Sequence, residues 1–247
     1  KIDHLVNIYN QGQLAAVIEQ AQSLTMQYPN AYMIWNILGA GRKGLGQIEE
    51  ASEAFKRVTE LNPNYADGFN NLGVTLQILG KYEEAVEAYN KSLSIKPHYA
   101  DAFINLGTAL NEQGKLDESI VAFSKALLIN PNYAEAHFNL GNILKVQGKY
   151  EEAIKSYNKA LSFKPNYPET YYNIGNVLRD LGKFDEAVET YKKSLFLNPK
   201  NPNVFINLGV ALREQDKYEE AIEAYDKALS LKPDYAEAYN NKGLVFA

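Results

Sequence analysis

Residues 134–167 read AEAHFNLGNILKVQGKYEEAIKSYNKALSFKPNY, and the reading of these 34 residues decides the fold. Phe138, Gly141, Leu144 and Lys145 keep a three-and-four-residue rhythm, as do Tyr150, Ala153, Ile154, Tyr157, Ala160 and Leu161. That rhythm places side chains on one stripe of an amphipathic helix. Gly148 separates the two runs and suits the left-handed backbone that ends a helix. Pro165 closes the second run, because it has no amide hydrogen to donate and it biases Lys164 away from helical angles. The stretch is a helix, a tight turn, a helix and a short loop. Neither helix can bury its stripe alone, so the unit must stack on a copy of itself.

The copies are present. Gly141 has counterparts at steps of 34 at Gly39, Gly73, Gly107, Gly175, Gly209 and Gly243. Gly148 has them at Gly12, Gly46, Gly80, Gly114 and Gly182, with Asp216 as the exception. Pro165 has them at Pro29, Pro63, Pro97, Pro131, Pro199 and Pro233. Thirteen of the 16 glycines and seven of the nine prolines thus occupy three positions of one period, which chance does not produce.

These positions resemble the tetratricopeptide repeat family over the whole chain. The large residue at the fourth position of the family pattern is Trp35, Phe69, Phe103, His137, Tyr171, Phe205 and Tyr239. The small residue of the second helix is Ala51, Ala85, Ser119, Ala153, Ala187 and Ala221, and its aromatic is Phe55, Tyr89, Phe123, Tyr157, Tyr191 and Tyr225. The resemblance implies an all-α fold, an α-α superhelix built as a right-handed solenoid of stacked helix-turn-helix repeats. Residues 1–247 are read as one such solenoid. Residues 1–31 form a degenerate first repeat, with Leu5 at the glycine position and Val17 at the small position. Six full repeats follow at 32–65, 66–99, 100–133, 134–167, 168–201 and 202–235. Residues 236–247 supply the first helix of a further repeat. The start at Lys1 and this partial repeat suggest a piece of a longer chain, in which a catalytic domain could follow Ala247.

Composition excludes several functions. A net charge of -5 argues against a phosphate-neutralising surface. The absence of cysteine removes disulfides, thiol catalysis and thiolate metal sites, and leaves the compartment undetermined. His4, His98 and His137 lie at unrelated repeat positions and form neither a metal triad nor a base with its orienter, and no cofactor or metal is expected. Acidic pairs such as Glu83-Glu84 and Glu151-Glu152 open second helices, where carboxylates favour the helix dipole. Glu87 and Lys91, Glu189 and Lys193, and Glu223 and Lys227 are spaced for helical ion pairs on the outer face. Gly41 and Gly44 are expected to weaken the first helix of the 32–65 repeat.

In the family the first helices line the concave surface, so their inward side chains are the candidate site. One inward position is Asn71, Asn105, Asn139, Asn173, Asn207 and Asn241. A carboxamide both donates and accepts, so a row of them can pair with the main chain of an extended peptide. This arrangement is similar to the asparagine ladder in the repeat domain of O-linked N-acetylglucosamine transferase. The position before it is Asn70, Ile104, Phe138, Tyr172, Ile206 and Asn240. There Phe138 and Tyr172 are the better candidates for a ligand anchor, and Ile104 and Ile206 for packing between helices. Asn142, Asn176, Lys145, Arg179 and Arg213 add donors further round the groove. The second position of the first helix is Asp67, Asp101, Glu135, Glu169, Asn203 and Glu237, which would repel the acidic carboxylate tails that some members of the family clamp. The function expected is therefore a protein- or peptide-binding scaffold that holds an extended segment, with no nucleic acid and no membrane as partner. The alternative is an assembly scaffold that self-associates through its ends, for which Leu244, Val245 and Phe246 supply an apolar stripe.

Overall fold

The computed structural model describes residues 1–245. These form fifteen helices and no strand: α1 (Ile2–Asn10), α2 (Leu14–Gln27), α3 (Tyr32–Gly44), α4 (Ile48–Leu61), α5 (Ala66–Ile78), α6 (Tyr82–Ile95), α7 (Ala100–Glu112), α8 (Leu116–Ile129), α9 (Ala134–Val146), α10 (Tyr150–Phe163), α11 (Pro168–Asp180), α12 (Phe184–Leu197), α13 (Pro202–Arg213), α14 (Tyr218–Leu231) and α15 (Ala236–Gly243). The chain divides into two compact units, Lys1–Pro131 and Asn132–Ala247. The first holds α1–α8 and the second α9–α15.

The punctuation read from the sequence sets the helix ends. Gly148 has a φ of +72°, and Asp216, at the same position of its repeat, adopts +59°. Aspartate is one of the few residues that enter this region at small cost. Here its carboxylate also accepts a hydrogen bond from the Tyr218 hydroxyl at 2.7 Å. Pro168 and Pro202 are the first residues of α11 and α13, where a missing amide hydrogen removes no helical bond. The loops before the first helices use two devices at one position. Asn62 and Asn198 accept from the backbone amides of Asn64 and Lys200, closing a local turn. Lys96, Lys164 and Lys232 instead lay their ammonium groups over the rings of Tyr99, Tyr167 and Tyr235, 4.0 to 4.3 Å from the centroids.

Packing within each repeat turns on one pair of positions. A Cβ on Gly73, Gly141, Gly175 or Gly209 would lie 2.5 or 2.6 Å from the ring of Tyr89, Tyr157, Tyr191 or Tyr225. The glycine lets that ring lie flat on the backbone of the first helix. All four tyrosine rings are fully buried. The first repeat reverses this division of volume. Its glycine position holds Leu5, its aromatic position holds Ala21, and both are fully buried in one cluster with Val17 and Ile34. Bulk has moved from the second helix to the first, a volume-conserving exchange of the kind that cores tolerate.

Gly41 and Gly44 do not interrupt α3, which runs unbroken to Gly44. A Cβ at Gly41 would meet the side chains of Val17 and Ile18 at 3.3 and 3.2 Å, and one at Gly44 would meet Leu14 Cδ1 at 2.7 Å. The two glycines therefore leave room for Leu14, Val17 and Ile18 of α2, and α3 stays helical across them. The outer face, read as a charged and solvated one, forms few of the ion pairs its spacing permits. Among the described residues the pairs that form include Arg57–Glu60 and Lys183–Glu186, three residues apart, and Lys242–Asp226 between helices. Glu87–Lys91, Glu189–Lys193 and Glu223–Lys227 are not among them, as expected for solvated side chains whose pairing gains little over hydration.

Candidate binding surface

In both units the first helices touch one another along the stack: α1 meets α3, α5 meets α7, α9 meets α11 and α11 meets α13. Successive second helices make no comparable contact. A row that is closer together lies on the inner side of a curve, so within each unit the first helices line the inner surface and the second helices the outer one.

The asparagines of the ladder are distributed over the two units, Asn71 and Asn105 in the first and Asn139, Asn173, Asn207 and Asn241 in the second. All six are partly exposed. Their amide hydrogens do not simply face solvent. Asn71 Nδ2 donates to Asn36 Oδ1 at 3.3 Å, and Asn105 Nδ2 donates to Asn70 Oδ1 at 3.0 Å. Asn173 Nδ2 donates to Asn142 Oδ1 at 2.9 Å. Asn207 Nδ2 donates to both the Tyr172 hydroxyl, at 3.0 Å, and Asn176 Oδ1, at 2.8 Å. Each of these asparagines clasps the first helix of the preceding repeat, with its carbonyl oxygen left over for another donor. The acceptors lie 35 or 31 residues upstream. Asn241 has Ile206 and Val210 at those places, neither of which can accept.

Asn142 and Asn176 are the junctions of this network. Besides the asparagine of the next repeat, each accepts from the tyrosine of its own second helix: Tyr157 to Asn142 and Tyr191 to Asn176, both at 2.8 Å. Burial pushes both phenols above their ordinary pKa, which keeps them protonated and donating. The amide hydrogens of Asn142 and Asn176 are not used by these contacts. Tyr225 has Val210 in place of that asparagine, and its buried hydroxyl has no partner.

At the position before the ladder, Ile104 and Ile206 are packed as expected, at 4% and 1% exposure, and Asn70 is buried too. Phe138 and Tyr172 remain partly exposed. The Phe138 ring lies 4.9 Å from that of Tyr167, and Tyr172 lies 6.2 Å from Tyr191. The apolar patch of the second unit therefore narrows to these two rings, with Asn142, Asn176 and Asn173 beside them. Beyond the network, Arg179 is held by Asp180 through two bonds of 2.9 and 3.2 Å, and Arg213 by Glu214 at 2.8 Å. Burial lowers the pKa of Lys145, with Asp180 acting against the shift and Arg179 with it. His137 stacks on Phe163 at 5.9 Å, consistent with a packing role. At the C-terminal end Leu244 is exposed, Val245 packs against the core of the second unit, and Phe246 lies outside the described residues.

The acceptors Asn36 and Asn70 and the tyrosine hydroxyls are the hydrogen-bond partners that periodicity alone misses. The signal was available, since an asparagine or tyrosine stands 35 or 31 residues before each clasped one. Reading it requires knowing which positions of adjacent helices meet. Among the described residues no group of histidine, aspartate and glutamate side chains could hold a metal ion. No helix among them is long and apolar enough to cross a membrane.

Comparison with known proteins agrees with this fold. A family profile described as "TPR repeat" matches residues 44–78, 107–148, 141–178, 175–216 and 209–247, and one described as "Tetratricopeptide repeat" matches 66–99. No curated protein matches by sequence. Among solved structures, a chain of the APC/C hetero-tetramer Cut9–Hcn1 superposes with a TM-score of 0.78 at 17% identity, over 99% of this chain and 48% of the other. The chain thus spans about half the length of that relative. YrrB, described as a TPR protein with an unusual peptide-binding site, gives a TM-score of 0.65 at 26% identity, over 78% of this chain and 99% of its own. MamA gives 0.61 at 30% identity, over 66% of this chain and 95% of its own.

Proposed function

The chain belongs to the tetratricopeptide repeat family, and from that premise we propose that it holds an extended peptide segment of a partner protein along the inner surface of its first helices. Repeats of this family are generally non-catalytic scaffolds typical of protein–protein interaction. The observation that carries the finer reading is the arrangement in the second unit. Two partly exposed rings, Phe138 and Tyr172, stand beside asparagines whose amide hydrogens (Asn142, Asn176) and carbonyl oxygens (Asn173, Asn207) remain available. Spare donors next to spare acceptors match the alternating N–H and C=O of an extended main chain, and the rings offer a place for one apolar side chain. Lys145, Arg179 and Arg213 extend the same surface with charge. Asn71 and Asn105 offer the equivalent carbonyl oxygens in the first unit. We treat residues 1–247 as one run of repeats serving this role. On the similarity of the ladder to the transferase repeat domain, we further propose that it is the recruiting arm of a longer protein.

A peptide array probed with the intact chain tests this reading. Bound peptides should lose at least tenfold in affinity with Phe138→Ala or with Asn142→Ala, with the thermal melt recorded for each variant. Asn142→Asp keeps the acceptor that Tyr157 and Asn173 need and removes the amide hydrogens, so it should weaken binding with the fold retained. Unchanged binding by all three folded variants overturns the proposal.

A second reading, self-association through the C-terminal end, is favoured by the exposure of Tyr239 and Leu244. Light scattering over a concentration series should then show a mass that rises with concentration. A constant monomer mass removes it.

A further inference from the structure

The outer face of the first unit carries a groove of about 710 Å³ between α4 and α6, with α5 as its floor. The floor is apolar, made by Phe69, Leu72, Leu76 and Leu79. The next repeat of the same unit provides an internal comparison. There the corresponding floor, Phe103, Leu106 and Leu110, lies between α6 and α8 under a cavity of about 250 Å³.

Two substitutions account for the difference. After the small residue of the second helix, the other repeats carry Val86, Ile120, Ile154, Val188 and Ile222, whereas α4 has Ser52. Seven residues later the five following repeats carry Leu93, Leu127, Leu161, Leu195 and Leu229, whereas α4 has Thr59, as the first repeat has Thr25. Both lost branched or long apolar groups belong to the wall of the groove, and their absence leaves its floor uncovered. Thr59 spends its hydroxyl on the backbone oxygen of Lys56, at 2.8 Å, so it contributes little polarity to the opening. The smaller cavity is also covered, because Lys125 lies 5.6 Å over the Phe103 ring.

The rim decides the class of occupant. Five glutamates, Glu49, Glu53, Glu60, Glu84 and Glu87, surround the floor, against Lys56, Lys81 and Lys91. Of the five, Glu60 is already paired with Arg57 at 3.0 Å. At the place of Glu87 the neighbouring repeat has Val121. An apolar floor under an acidic rim is complementary to an amphipathic segment whose apolar face is bordered by lysine or arginine. The 14 residues of α4 extend about 21 Å, so a helical segment of ~14 residues spans the groove. We propose that this groove is a second docking site, separate from the inner surface, for a basic amphipathic helix of a partner protein.

The probe is a fluorescein-labelled peptide of about 14 residues, with leucine at helical i, i+4 spacing and lysine elsewhere, titrated into the intact chain and followed by fluorescence polarisation. Two control peptides replace lysine by glutamate or leucine by serine. Ser52→Val combined with Thr59→Leu refills the groove with the residues of the 66–99 and 168–201 repeats, and should keep the fold while weakening binding of the leucine–lysine peptide at least tenfold. Phe138→Ala should leave that binding unchanged, which separates this site from the inner surface. No binding by the native chain, equal binding of either control peptide, or undiminished binding by the refilled variant overturns the proposal.

Discussion

Tyr191→Ala is expected to destabilise the chain by about 3 to 5 kcal/mol in equilibrium urea unfolding, the range for emptying a buried aromatic site. Gly175→Leu alone is expected to cost about 3 kcal/mol, because even its Cβ would lie 2.5 Å from the Tyr191 ring. Combined, the two substitutions should fall well below the sum of the single costs and close to that of Tyr191→Ala alone, with a coupling of about 3 kcal/mol. The reason stands in the first repeat, where Leu5 faces Ala21 and both are fully buried. The double variant transplants that arrangement into the 168–201 repeat. It gives up the hydroxyl bond to Asn176, which keeps Asn207 as its other donor. Strictly additive costs would show that the glycine and the aromatic are not exchangeable partners, and that the first repeat folds by some other accommodation.

The same substitution at two equivalent tyrosines should shift stability in opposite directions. Tyr225→Phe is expected to stabilise by about 1 kcal/mol, because the buried hydroxyl it removes has no partner. Tyr157→Phe should destabilise by about 1 kcal/mol, because it removes a 2.8 Å bond to Asn142. The contrast comes from the first helix. The tyrosines of the other repeats find Asn142, Asn176 or, for Tyr89, Gln77 Oε1 at 2.9 Å. In the 202–235 repeat the corresponding residues are Val210, which accepts nothing, and Arg213, which is a donor occupied by Glu214. Thermal or urea melts of the two variants beside the native chain give the comparison. A loss of stability in Tyr225→Phe would mean that the hydroxyl finds a partner in solution.

Much of this was legible in the sequence because it is periodic. Glycine at a positive φ, proline after a second helix and an apolar stripe are local requirements, and each reports itself at its own position. The division between Phe138 and Tyr172 as open side chains and Ile104 and Ile206 as packed ones was likewise readable from residue type. The partners of the asparagines were not, because a carboxamide that looks outward in one helix reaches the preceding repeat, 31 or 35 residues away. Nor was the groove beside α4 visible as such. Ser52 and Thr59 look like ordinary polar residues of an exposed helix until the floor they fail to cover is seen.

By itself, then, the sequence determined the repeat, the turns that punctuate its helices and the family, since backbone conformation and stripe formation depend on residues within one turn of each other. Only the tertiary structure decided which surface groups are spent and which are free. That outcome depends on where side chains from adjacent helices meet: Asn207 between Tyr172 and Asn176, Tyr225 against Val210, and Gly44 under Leu14. Hydrogen bonds and van der Waals contacts act over a few ångströms, and the helices that bring those groups within range are far apart in the chain.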